Sequence, residues 1–251
     1  MSEMKFWSIT GLIAYDDASA LQRRMVELRA AGEIQDTVLL LEHEPVITRG
    51  RGLQFTGEVR ERAMPLLAPL PSQIAFCESE RGGDLTYHGP GQLVIYPICK
   101  LDGLGFGPHH DVTGFLRNFE QVLIGVLSKS GLAGESHESA TGVWVGARKV
   151  ASIGVAVRKW VTYHGAAINI VNSLEPFQLI SPCGFAPEVM TNLRELVKGA
   201  SQPEGEGAVG EVWRENFELL LMREFQSALG TSETPRIERL TLDDARSLVG
   251  I

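Results

Sequence analysis

Gly142-Val-Trp-Val-Gly-Ala-Arg-Lys149-Val-Ala-Ser-Ile-Gly154 leads through Thr162-Tyr-His-Gly-Ala-Ala167 to Ser181-Pro-Cys-Gly184. Three strand-like runs, 143–145, 149–157 and 160–171, are separated by Gly146-Ala147-Arg148 and by Arg158-Lys159. Connections this short join antiparallel neighbours, because a parallel partner needs a crossover of about a dozen residues or more. The stretch therefore predicts an antiparallel meander, and with it a sheet-centred fold. Lys149 opens the middle strand. Cys183 follows the last one, on a turn between Pro182 and Gly184.

A free thiol has a pKa of about 8.5, so little of it is thiolate at neutral pH. A nearby ammonium, or a backbone N–H from a residue such as Gly184, stabilises the thiolate. The same lysine can later give or take a proton. Cys183 and Lys149 brought together would suit acyl transfer through a thioester. Apart in space, they would be an inert turn cysteine and a solvated hairpin lysine.

The 251 residues fit one large domain or two small ones. With 44% apolar and 22% charged residues, the composition is that of a soluble globular protein. No run of about 18 apolar residues suggests a membrane span, and the first residues, Met-Ser-Glu-Met-Lys-Phe-Trp, lack the pattern of a signal peptide. Three widely spaced cysteines, Cys77, Cys99 and Cys183, form neither a disulfide framework nor a metal motif and fit a reducing cytoplasm. The net charge of −8 disfavours nucleic acid as a partner.

Around the meander, strands are expected at 6–12, 36–42, 46–48, 74–78 and 93–98, and helices at 18–31, 111–130 and 211–229. The helix at 111–130 carries the clearest periodicity, with Phe115, Phe119, Val122, Leu123 and Val126 on one face. Two stretches stand out as loops able to meet a ligand. Arg49-Gly-Arg-Gly52 could line an anion. Arg81-Gly-Gly-Asp-Leu-Thr-Tyr-His88-Gly-Pro-Gly-Gln92 has glycines that let backbone approach a ligand, with Arg81 and His88 as polar function. Thr-Tyr-His-Gly occurs at 86–89 and again at 162–165. His88 is assigned to the site, and His164 to the core as a histidine bonded to backbone. His109, His110 and His137 are assigned to loops. Residues 200–210 are expected as a loop, and the residues from 231 on as a tail in which Thr241 and Asp244 cap a short helix.

Taken together, the blocks at 81–92, 142–145, 149–154, 162–167 and 182–184, with Thr48-Arg-Gly50 before them, resemble the lipoyl(octanoyl) transferases over about residues 36–197. The resemblance implies a single α/β domain of the biotin/lipoate protein ligase catalytic-domain type, with a mixed, largely antiparallel sheet flanked by helices. The catalytic domain would span 1–230 and the tail 231–251. It implies transfer of an octanoyl or lipoyl group from the phosphopantetheine of acyl carrier protein, with no tightly bound cofactor and no metal. The acceptor is a lysine on lipoyl domains of 2-oxoacid dehydrogenase complexes or on a glycine-cleavage H-type protein. Cys183 would be the nucleophile and Lys149 its acid–base partner. Substrate contacts carry over to Arg81, Gly82, Gly83, Asp84, Leu85, Thr86, Tyr87 and His88. They also carry over to Ser152, Ile153 and Gly154, and to Gly165, Ala166 and Ala167. A monomer in the cytoplasm is expected, with neither nucleic acid nor membrane as partner. An acidic carrier would need a local basic face, for which Arg49, Arg51, Arg148, Arg158 and Lys159 are the candidates. Two other classes compete: an ATP-dependent lipoate or biotin-type ligase on the same fold, needing no thiol, and a lipoyl-domain binding module without catalysis.

Overall fold

The computed structural model describes residues 4–52, 66–137, 140–181, 186–197, 206–230 and 236–251. Its strands are β1 (Lys5–Ile13), β2 (Thr37–His43), β3 (Val46–Arg49), β4 (Ala75–Glu78), β5 (Leu85–His88), β6 (Gln92–Ile98), β7 (Gly134–His137), β8 (Ala140–Val145), β9 (Arg148–Arg158), β10 (Val161–Asn169) and β11 (Ile237–Leu240). Its helices are α1 (Tyr15–Ala31), α2 (Val112–Lys129), α3 (Leu193–Leu196), α4 (Glu206–Leu229) and α5 (Leu242–Val249).

One sheet runs β11-β1-β2-β6-β10-β9-β8-β7, and a smaller one runs β4-β3-β5. In the large sheet only β1–β2 and β1–β11 are parallel. Every pair from β2 to β7 is antiparallel. The meander expected at 142–171 is β8-β9-β10, and the α/β class with a mixed, largely antiparallel sheet is the one observed.

The continuous apolar run of β2 has a simple cause. Val38 and Leu40 point into one core with Phe115, Phe119 and Phe225, while Leu39 and Leu41 point into another with Leu21 and Met25. Side chains alternate along a strand, so a sheet covered on both faces needs apolar residues at every position. Helices α2 and α4 therefore cover one face, and α1 and α5 the other. A third core of Ile47, Leu85, Tyr87, Phe177, Ile180 and Met190 packs beneath the small sheet.

Several boundaries differ from the sequence expectation. Helix α1 begins at Tyr15, so that Asp16 and Asp17 lie in its first turn, where carboxylates favour the helix dipole. Helix α4 begins at Glu206, inside the segment expected as a loop. Strand β5 lies within the 81–92 stretch expected as loop throughout, because Leu85 and Tyr87 alternate toward the third core. His137 closes an edge strand, with its ring 4.8 Å from that of Trp144. Cys99 is buried, whereas Cys77 is only partly covered, on the edge strand β4. The short helix of the tail is α5, with the expected capping box between Thr241 and Asp244. Residues 237–240 also supply β11, in parallel register with Phe6–Ile9.

Candidate active site

A narrow cavity of about 30 Å³ lies between the small sheet and the β9–β10 pair. Alternation on β5 decides what reaches it. Thr86 and His88 line the cavity, while Leu85 and Tyr87 face the third core. Ten of the expected substrate residues line it: Arg81, Gly83, Thr86, His88, Ser152, Ile153, Gly154, Gly165, Ala166 and Ala167. Gly82, Asp84, Leu85 and Tyr87 do not.

Small residues here let backbones meet. Gly154 stands opposite Gly165 in the β9–β10 ladder. A Cβ on Gly154 would lie 2.7 Å from the Gly82 carbonyl oxygen. Gly82 in turn donates its N–H to the Val155 carbonyl at 2.9 Å, which pins the 81–84 loop to β9. The Arg81 guanidinium donates to the Thr48 carbonyl at 2.8 Å, to Thr48 Oγ1, to the Asp84 carbonyl at 2.7 Å and to the Gly82 carbonyl. Arg81 thus fastens this loop to β3 and shapes the cavity wall.

The anion cradle expected at 49–52 is not formed. The N–H groups of Gly50, Arg51 and Gly52 donate to the carbonyls of Asp84, Arg81 and Gly83. Arg49 pairs with Glu78, and Arg51 with Glu80. The expected basic face is likewise neutralised: Arg148 pairs with Glu195, and Arg158 and Lys159 share Glu27.

Sequence reasoning missed a buried ring cluster at the cavity: Tyr15, His43, Tyr96 and His164, beside His88. The Tyr15 ring lies parallel to those of both His88 and His164. His43 Nδ1 donates to the Ile13 carbonyl at 2.8 Å, so Nε2 accepts from the Tyr96 hydroxyl at 2.7 Å. Burial holds His43 down to about 4 and His164 to about 3, and it pushes His88 well below the usual imidazole range. All three are therefore neutral at pH 7. The assignment of His164 to an ordinary backbone-bonded core needs correction. Its main chain is left-handed, φ 55°, which costs an L-residue roughly 1–2 kcal/mol. Its N–H donates to Gln22 Oε1 at 2.7 Å, and its ring Nδ1 is buried without a partner among the described residues. The recurrence of Thr-Tyr-His-Gly was the one available signal.

Lys149 is the second residue of β9 and is fully buried. The ladder pairs Trp144 with Lys149 but Val143 with Ala151, so Val150 is an extra residue, a bulge. Bulges re-aim side chains, and here Lys149, Val150 and Ala151 are all buried in succession. Lys149 Nζ has no hydrogen-bond partner among the described residues and lies 5.8 Å from the Trp144 ring centre. Cys183 lies outside the described residues, as do Pro182 and Gly184. The chain after it is tied to Lys149: Met190 bridges Lys149 in parallel, and Thr191 donates its N–H to the Lys149 carbonyl at 3.0 Å.

Lys149 is not part of the cavity wall, but buried hydrogen bonds join the two. His88 Nδ1 donates to Gln92 Oε1 at 2.8 Å, and Gln92 Nε2 donates to Asn169 Oδ1 at 2.9 Å. Asn169 Nδ2 then donates to the carbonyl of Thr191 at 2.9 Å. The arrangement offers a narrow cavity and, tied to it through the Lys149 backbone carbonyl, a lysine whose buried amine is able to balance an anion or move a proton.

A model of the lipoyl protein ligase A/B catalytic domain matches residues 14–211. The chain belongs to that family. Within it, an octanoyltransferase of Geobacter metallireducens is 41% identical over 196 residues, 78% of this chain and 84% of that protein. An octanoyltransferase of Syntrophobacter fumaroxidans is 36% identical over 238 residues, 93% of this chain and 96% of the relative. The solved structure of a lipoate-protein ligase A bound with ATP superposes with a TM-score of 0.66 at 17% identity, covering 98% of this chain and 93% of that one. At that identity the likeness concerns the fold, which is the expected ligase type.

Proposed function

We propose that the protein is an octanoyltransferase of protein lipoylation. It takes the octanoyl group from the phosphopantetheine thioester of acyl carrier protein and passes it, through Cys183, to a lysine of a lipoyl domain. The acceptors are lipoyl domains of 2-oxoacid dehydrogenase complexes and a glycine-cleavage H-type protein. The enzyme acts as a cytoplasmic monomer and retains no cofactor. The observation that carries this reading is the 41% identity to an octanoyltransferase over most of both chains. The buried amine of Lys149, which has no hydrogen-bond partner among the described residues, agrees with it. Among the described residues no helix is long and apolar enough to cross a membrane.

The chemistry assigns each proton. The Cys183 thiolate attacks the thioester carbonyl. The new S–C bond forms as the bond to the pantetheine sulfur breaks, and the Lys149 ammonium protonates the departing thiolate. Neutral Lys149 then takes a proton from the acceptor amine as that nitrogen attacks the acyl-cysteine. The amide forms, and thiolate and ammonium are restored. Gly154, Gly165, Ala166 and Ala167 line the cavity, and residues this small leave an acyl chain room beside them. At about 30 Å³ it must widen to take eight carbons.

The test is an intact-mass measurement after mixing with octanoyl-acyl carrier protein and no ATP. One octanoyl group is expected on Cys183, released by hydroxylamine and passed on to apo-lipoyl domain. Absence of the adduct, together with ATP-dependent transfer from free octanoate, would make the protein a ligase.

A further inference from the structure

Helix α2 is core scaffold by its periodicity, yet one of its side chains turns toward Lys149. Glu120 follows the fully buried Phe119 and is itself half-buried. Its carboxylate accepts the Gly142 N–H at 3.3 Å. Gly142 is also the residue against which Lys149 lies. A Cβ there would stand 2.7 Å from Lys149 Cε and 3.3 Å from Nζ. Carboxylate and ammonium thus meet at one glycine, and Nζ has no hydrogen-bond partner among the described residues.

We propose that Glu120 is a positioning residue for Lys149, a carboxylate that balances the buried ammonium and holds the backbone on which it rests. The proposal depends on the Cys183–Lys149 chemistry above. Burial raises the Glu120 pKa, and the Gly142 N–H and the charge of Lys149 pull it back. Other charged or titratable groups lie on the elements packed around Glu120. Strand β8 has none. Strand β9 adds Arg148, which is paired with Glu195, and at its other end Arg158, which is paired with Glu27. Strand β7 adds Glu135 and His137, and α2 itself adds Arg117 a turn away. Helix α4 adds Arg214 and Glu218, paired with each other, Glu215, paired with Arg239, Arg223, and Glu224, paired with Lys129.

Glu120→Gln keeps the size and the acceptor for Gly142 but removes the charge. Losing a negative charge favours deprotonation of every neighbouring group. Both limbs of the pH–rate profile, and the pH midpoint for alkylation of Cys183, should therefore move down by about one pH unit. Glu120→Asp should keep the wild-type midpoints at reduced kcat. If Gln at this position unfolds the protein, Glu120→Met tests the same loss of charge. Unchanged midpoints in the uncharged variant overturn the proposal. Lys149→Ala separates this outcome from failure of the underlying reading. If its alkylation midpoint matches wild type, the cysteine–lysine pairing is wrong and Glu120 falls with it. If that midpoint rises while the Glu120 variants do not move, Glu120 alone is wrong.

Discussion

Gly142 holds φ 140° beside the Lys149 side chain. Gly142→Ala would strain the backbone and drive a methyl group toward Lys149 Cε and the Ala151 carbonyl. The variant should lose roughly 1–3 kcal/mol of stability and at least tenfold in octanoyl transfer, with Cys183 alkylated more slowly near neutral pH. Full activity would show that the lysine need not lie there. The histidines give a second test at this scale. His43 and His164 are held to about 4 and about 3 in the fold, against about 6.5 in the unfolded chain. Between those values the unfolded state binds more protons, so stability falls as pH drops through the window. The share of His43 is on the order of 3 kcal/mol. Urea midpoints should decline steeply from pH 6.5 to pH 4, and His43→Gln should flatten that slope.

Among the elements, the joint of β6, β10 and the segment before α3 rests on Asn169, which accepts from Gln92 and Asn172 and donates to the Thr191 carbonyl. Asn169→Leu keeps the branched outline and heavy-atom count of the side chain, adds some bulk, and leaves three buried polar groups short of a partner. A loss of about 2–4 kcal/mol is expected, together with a fall in kcat, because Thr191 anchors the Lys149 carbonyl. A melt and a transfer assay on the same sample check both. The β9–β10 hairpin carries a different expectation. Glu27 on α1 pairs with both Arg158 and Lys159, so the basic face expected for an acidic carrier is cancelled in place. Exposed pairs of this kind contribute little to stability. Glu27→Gln should leave the melting temperature nearly unchanged while lowering KM for acidic acyl carrier protein at low salt. No change in KM would take the hairpin out of the docking surface.

The whole molecule closes on its C-terminal segment. β11 extends the large sheet beyond β1, and Ala245 and Val249 of α5 enter the core shared with α1. Arg246 pairs with Asp17 at 2.5 Å, and Arg24 donates to the Val249 carbonyl at 2.8 Å. Truncation after Gly230 would bare the β1 edge, an open template for association, and uncover apolar surface on α1. A lower melting temperature and concentration-dependent aggregation are expected by calorimetry and light scattering. A truncated chain that melts like the full one would make this segment an appendage.

The strands with apolar runs, the helix at 111–130, the meander and the capping box were legible in the sequence, because hydrophobic period and cap chemistry are local properties. So was the family, because five short blocks in order are specific even where each alone is weak. β7 and β11 were not legible: an edge strand can be held by its backbone ladder while its side chains stay polar. The exact wall of the cavity was hidden for a related reason, since the alternation that turns Thr86 inward and Tyr87 away exists only once β5 is known to be a strand. Pairing of Arg49, Arg51, Arg158 and Lys159 with acids distant in the chain could not be read from composition. Nor could the bulge that buries Lys149, the run of hydrogen bonds from His88 to Thr191, or the approach of Glu120 to Gly142. Each depends on which segments the sheet register brings within a few ångströms, and only the tertiary structure decides that.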